Sequence, residues 1–111
     1  MDKPVYPQWS IEASRKRKEL APQQLAAFRA FNEAVFAEGA LSKKMKELIA
    51  IAVAHVTQCP YCISGHTAEA QKSGATEQEI MEAIWVAAEM RAGAAYAHSM
   101  LAIDAMKPPQ P

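Results

Sequence analysis

The chain has 111 residues, half of them hydrophobic, and its 12 Lys and Arg balance 12 Asp and Glu. That length bounds it to a single domain, 1–111, with a modest core, and the charge balance argues against nucleic acid or an anionic membrane surface as partner. Two cysteines are too few for a secreted disulfide scaffold. The polar start Met1-Asp2-Lys3-Pro4 has no apolar signal-peptide region, so a cytoplasmic location is expected. In that compartment a C-x-x-C is catalytic or metal-binding more often than structural.

Residues 1–9 carry Pro4 and Pro7 and read as an N-terminal arm, with Tyr6 and Trp9 as candidate anchors. Ser10 is a plausible N-cap for a first helix from Ile11 to about Leu20. Its Arg15-Lys16-Arg17-Lys18 run is short and lacks interleaved aromatics, so it reads as a solvated face. Pro22 suits the first turn of a second helix. There Leu25, Phe28, Phe31, Val35 and Phe36 recur mostly at helical spacing and are expected in the core. Gly39 is placed to end that helix.

Ser42 can cap a third helix running to about Thr57. Met45, Leu48, Ile49, Ala52, Val53 and Val56 form its main apolar stripe, with Glu47, Ala50 and Ala54 on the far side. The far side is uncharged apart from Glu47, so this helix is expected to be buried on both faces. Glu47 then lies at the edge of a buried surface or inside it, where a carboxylate has a partner or a raised pKa.

No Asp, Glu, Lys or Arg occurs between Leu48 and Ala68. Pro60, Gly65, two histidines and several hydroxyls interrupt that stretch, which therefore reads as two buried helices, not a membrane span. A fourth helix starts at Cys59-Pro60, with Cys59 near the N-cap and Pro60 at its first position, and stops at Ser73-Gly74. Thr76 and Glu79 form a capping box that opens a fifth helix, along which Ile80, Ile84, Ala87, Ala88 and Arg91 follow. Trp85 and the methionines read as core. Gly93 is expected to break or kink this helix, leaving a sixth, Ala-rich helix over about 94–106. Residues 107–111 form a Pro-rich tail. The fold class is all-α, about six helices, with a central helical hairpin carrying the C-x-x-C and a core over 22–106. Abundant uncharged helix surface points to a homo-oligomer.

Cys62 and His66 are four apart on one helix and can share a face. Imidazole can take the thiol proton, and the thiolate is the nucleophile. Cys59 is within reach of Cys62 for a disulfide. The helix N-terminus favours thiolate at Cys59 and the histidine favours it at Cys62. A specific base outweighs a partial dipole, which gives the peroxide-attacking role to Cys62 and the resolving role to Cys59. Antiparallel pairing of helices three and four puts Glu47 about one turn, roughly 6 Å, beyond the residue facing His66. A Glu47–water–His66–Cys62 proton relay is therefore expected. A zinc site using the cysteines and His66, with Glu47 or His55 as fourth ligand, is a competing arrangement that matches structural zinc spacing poorly, and no bound metal or cofactor is expected. His55 and Tyr61 are second-tier candidates, and His98 with Tyr96 could line a pocket or a subunit contact.

Glu47, the run Cys59-Pro60-Tyr61-Cys62, and His66 together resemble the signature of the alkyl hydroperoxidase D-like proteins of the carboxymuconolactone decarboxylase family. The resemblance spans roughly residues 25–105. It implies an alkyl hydroperoxidase D-like helical bundle that assembles as trimers or hexamers. It further implies reduction of hydroperoxides by a cysteine pair, with Cys62 peroxidatic, Cys59 its disulfide partner and His66 with Glu47 the relay. An external dithiol would supply the electrons, and a dihydrolipoyl, thioredoxin-like or peroxiredoxin protein is the expected redox partner, whether the chain reduces hydroperoxides itself or passes electrons to a protein that does. Tyr61 stands where the better-known peroxidases of the family carry a second histidine. A decarboxylase-like lyase and a non-catalytic stress or zinc-binding oligomer are the alternatives.

Overall fold

The computed structural model describes residues 5–109. The first four residues of the expected arm and the last two of the tail lie outside them. The described residues are all-helical and contain no strand. The chain divides into two compact units, with the boundary between Ala37 and Glu38.

The first unit is a helical pair, α1 (Ile11–Leu20) and α2 (Pro22–Phe36). Ser10 Oγ accepts from the Ala13 N–H at 3.1 Å, closing the cap that the sequence predicts. Pro22 occupies the first turn of α2. The aromatic core expected on α2 is not found: no residue of this helix is buried, and Phe28 and Phe31 are 63% and 64% exposed. Their rings lie 6.4 Å apart, tilted toward each other. Trp9 is also exposed and does not anchor the arm. Gly39 does not cap α2, which ends at Phe36 with Ala37 in extended backbone.

The second unit contains α3 (Lys43–Thr57), α4 (Pro60–Lys72) and α5 (Glu77–Ala105), with α3 packed on both of the others. Ser42 caps α3 through the Met45 N–H at 3.1 Å. The α4–α5 corner is fixed by local chemistry. Gly74 takes the left-handed conformation at φ 92°. The Ala75 N–H reaches back to the Ala70 carbonyl at 2.9 Å and the Gly74 N–H to the Gln71 carbonyl at 3.0 Å, a Schellman ending. Thr76 and Glu79 then exchange both bonds of a capping box. α5 runs straight through Gly93, so the fifth and sixth expected helices are one. A single interior glycine costs about 1 kcal/mol, too little to interrupt a 29-residue helix flanked by alanines.

The core joins Leu48 and Ile51 of α3 to Ala70, Ala75 and Ile80, with Ala83 and Ile84 packed against it. Ile51 is fully buried, which stabilises the unit by about 1.5–3 kcal/mol. The face that α3 buries is Glu47, Leu48, Ile51 and Ala54. Most of its predicted main stripe (Met45, Ile49, Val53 and Val56) is exposed. Trp85, Met81 and Met90 of α5, read as core from the sequence, are exposed as well. From Ala94 onward every helical residue of α5 is exposed. None of the helices among the described residues is long and apolar enough to cross a membrane.

Candidate active site

The α3–α4 connection creates the site. α3 ends at Thr57, and Gln58 adopts the left-handed conformation at φ 59°, ψ 49°. Its N–H and that of Cys59 both reach the Ala54 carbonyl, the latter at 3.1 Å. This tight reversal turns the chain back on itself, so that α4 packs along α3. Glutamine at a positive φ is uncommon, since a Cβ crowds the carbonyl there at a cost of about 1–2 kcal/mol. The strain sits one residue before the first cysteine.

Cys59 is the N-cap of α4 and Pro60 its first residue. No disulfide joins the two cysteines. The Cys59 Sγ accepts the backbone N–H of Cys62 at 3.2 Å, the bond that a serine or aspartate would accept at an ordinary N-cap. The two thiols are pushed in opposite directions. Cys59 is held below the ordinary thiol value by the side-chain hydrogen bond from Cys62, then by the Cys62 backbone N–H, with desolvation opposing and the Tyr61 backbone N–H adding the least. Cys62 is pushed up because its thiol donates to Cys59, with partial desolvation and the neighbouring negative charge adding to the effect. Cys62 is nevertheless the more exposed of the two.

His66 lies one turn after Cys62 on α4. Its Nδ1–H donates to Glu47 Oε2 at 2.7 Å. Glu47 is 3% exposed, a buried charged residue of α3. The pair is direct, where the register of an ideal hairpin leaves room for a water. The three-carbon side chain of Glu47 spans the remaining turn. With Nδ1 engaged by the carboxylate, proton exchange between His66 and another group would run through Nε2.

The structure pairs Cys59 with Cys62 and His66 with Glu47, and Cys62 and His66 are four residues apart on α4. The second-tier residues have other surroundings. The His55 Nδ1–H donates to the Ile51 carbonyl of its own helix at 2.8 Å, a satisfied histidine. Tyr61 is half exposed. His98 and Tyr96 are exposed on the uncovered half of α5. Among the described residues no group of three or more His, Cys, Asp and Glu side chains is placed to hold a metal ion.

One contact escapes the sequence reading. Arg91 of α5 donates from Nη1 to the Val56 carbonyl at 2.9 Å, tying α5 to the last turn of α3. The signal available in the sequence was a lone arginine following Ile84, Ala87 and Ala88, together with a proline four residues after Val56.

A helical hairpin that presents two cysteines at one helix start, with a carboxylate–histidine pair one turn further along, defines a helical protein with a candidate thiol site. The Carboxymuconolactone decarboxylase family profile matches residues 22–105, and the chain belongs to that family. It is 66% identical over 77 residues to the uncharacterized protein 4 in the cox locus of Paracoccus denitrificans, a match covering 69% of each chain. Two solved structures share the fold. A carboxymuconolactone decarboxylase family protein from Legionella pneumophila aligns with a TM-score of 0.68 at 37% identity, over 71% of this chain and 70% of that one. A protein from Methanobacterium thermoautotrophicum aligns with a TM-score of 0.70 at 38% identity, over 75% and 93%.

Proposed function

We propose that the protein is a thiol–disulfide enzyme that reduces hydroperoxides through Cys62 and Cys59. The observation that carries this reading is the part-buried 2.7 Å pair of Glu47 and His66, set one helical turn from an exposed thiol whose pKa is raised. A raised thiol needs a base before it can attack, and His66 is that base. Glu47 fixes the ring and balances the charge it acquires.

In the first step His66 takes the Cys62 proton, and the thiolate attacks the distal peroxide oxygen. The O–O bond breaks, the alkoxide takes a proton from His66 and leaves as alcohol, and Cys62 becomes a sulfenic acid. Cys59, whose thiol is already biased toward thiolate, attacks the Cys62 sulfur. The S–O bond breaks, the departing hydroxide takes up the proton that Cys59 released and leaves as water, and the disulfide closes. An external dithiol then reduces the disulfide and is itself oxidised to a disulfide. A dihydrolipoyl group or a thioredoxin-like protein fits that role, and a peroxiredoxin fits as a protein to which the reduced pair passes electrons. A cysteine pair cycled in this way belongs in a reducing compartment, the cytoplasm.

The exposed apolar residues of α3 and α5 support a homo-oligomer, a trimer or hexamer, in which they are buried between copies. Consumption of an alkyl hydroperoxide with dihydrolipoamide or dithiothreitol tests the activity. Wild type consumes peroxide and Cys62→Ser does not. Equal rates in the two would overturn the reading.

A further inference from the structure

The end of α3 and the start of α4 meet head to tail at residues 57–60, and the dithiol sits on the joint. In a continuing helix the Val56 carbonyl would accept the N–H of residue 60. Residue 60 is proline and has none, and the chain has already left the helix at Gln58. The neighbouring Ala54 carbonyl is well supplied, accepting from Gln58, from Cys59 and from Thr57 Oγ1. The Val56 carbonyl is supplied from another helix, by the Arg91 guanidinium at 2.9 Å.

We propose that Arg91 is a positioning residue of the dithiol: by gripping the Val56 carbonyl it fixes the turn that holds the Cys59 sulfur in line with the Cys62 N–H. This rests on reading Cys59 and Cys62 as the reactive centre. A second effect works in the same direction. The carbonyl end of α3 carries partial negative charge, three residues from a sulfur that the N–H groups of α4 stabilise as thiolate. The arginine charge offsets it. The site is thereby built from three helices, with α5 setting the reactivity of a cysteine it does not carry.

The test is the pH dependence of Cys59 alkylation by iodoacetamide, followed by peptide mass mapping in the full-length protein. Arg91→Met keeps the length of the side chain and removes the donor and the charge. Its Cys59 midpoint rises by about half a pH unit, and its Cys59–Cys62 disulfide becomes harder to reduce in dithiol buffers. Arg91→Lys, which keeps a charge and a donor, recovers most of the shift. A merely structural arginine would change the melting temperature and leave both thiol readouts where they are. An Arg91→Met profile superimposed on that of wild type would overturn the proposal. Should that variant fail to fold, Arg91→Gln reads the same midpoint without the charge. A wild-type protein whose cysteines both titrate as ordinary thiols and form no disulfide would instead remove the dithiol reading itself, and the wild type alone reveals that outcome.

Discussion

Replacing Glu47 with glutamine changes one atom and removes one charge from the interior. The carboxylate is 3% exposed and 2.7 Å from His66 Nδ1, so the substitution acts on a contact largely shielded from solvent. Glutamine has nearly the same volume, and its carbonyl oxygen can still accept from Nδ1–H. No cavity forms, and the fold loses only the difference between a charged and a neutral hydrogen bond, about 1 kcal/mol. For a domain of this size that is a fall in Tm of roughly 4–8 °C. The reaction loses more, because the imidazole must become positive as it takes the Cys62 proton, and an amide cannot balance that charge. Removal of a positioned acid–base group costs about 100-fold or more. Peroxide turnover under saturating dithiol, measured beside thermal melts, separates the two effects. Turnover in Glu47→Gln within twofold of wild type would refute the relay. A loss of turnover matched by loss of folded protein would make Glu47 a structural residue only.

The opposed thiol shifts set an order of reaction. Below the ordinary thiol pKa near 9.0, Cys59 holds more thiolate than Cys62, so limited alkylation at mildly alkaline pH labels Cys59 first by peptide mapping; labelling of Cys62 first contradicts the pairing. The same shifts oppose each other in stability. The depressed Cys59 favours the fold above the unfolded thiol pKa and loses that contribution as pH falls through its folded value. The raised Cys62 favours the fold below the unfolded pKa and loses it as pH rises through its own. The two contributions offset each other in wild type, so its thermal stability changes little across this range, and a steep change would contradict the opposed shifts. Gln58→Gly relieves the left-handed strain and should raise stability by about 1 kcal/mol, a gain of several degrees in Tm, whereas an unchanged Tm would mean that the turn stores no strain. Sedimentation of wild type should return three or six times the chain mass. Trp85→Glu, on the exposed face of α5, should shift it toward monomer, and a monomeric wild type would leave the apolar surface without its proposed role.

Local chemistry was legible in the sequence wherever a residue acts on its own neighbours. Ser10, Ser42, Cys59, Thr76 and Gly74 each do what their positions announce, because a cap depends on three or four consecutive residues. The site was legible through two spacings, the C-x-x-C with His66 one turn on, and Glu47 brought opposite by the hairpin. What the sequence hid is which apolar face meets which partner. α3 is apolar on both sides, and the weaker side, which contains Glu47, is the one packed within the chain. Phe28, Phe31 and Trp85 carry core-like spacing but are exposed. Hydrophobic periodicity records that a face is meant to leave water, and it does not record whether the cover comes from the same chain. Gly93 misled for a different reason: a small propensity cost was weighed without the long alanine-rich helix around it. The Arg91 contact was hidden because it joins residues 35 positions apart.

The central claim is that Cys62 takes the oxygen from the peroxide and Cys59 clears it. Cys59→Ser should stall after the first step. Treated with one equivalent of alkyl hydroperoxide and then with a sulfenic-acid trap, this variant should carry the trap on the peptide containing Cys62, and the added Glu47→Gln change should slow its appearance. A trap found at Cys59 in the reciprocal Cys62→Ser variant, with Cys62 unmodified in Cys59→Ser, would contradict the account.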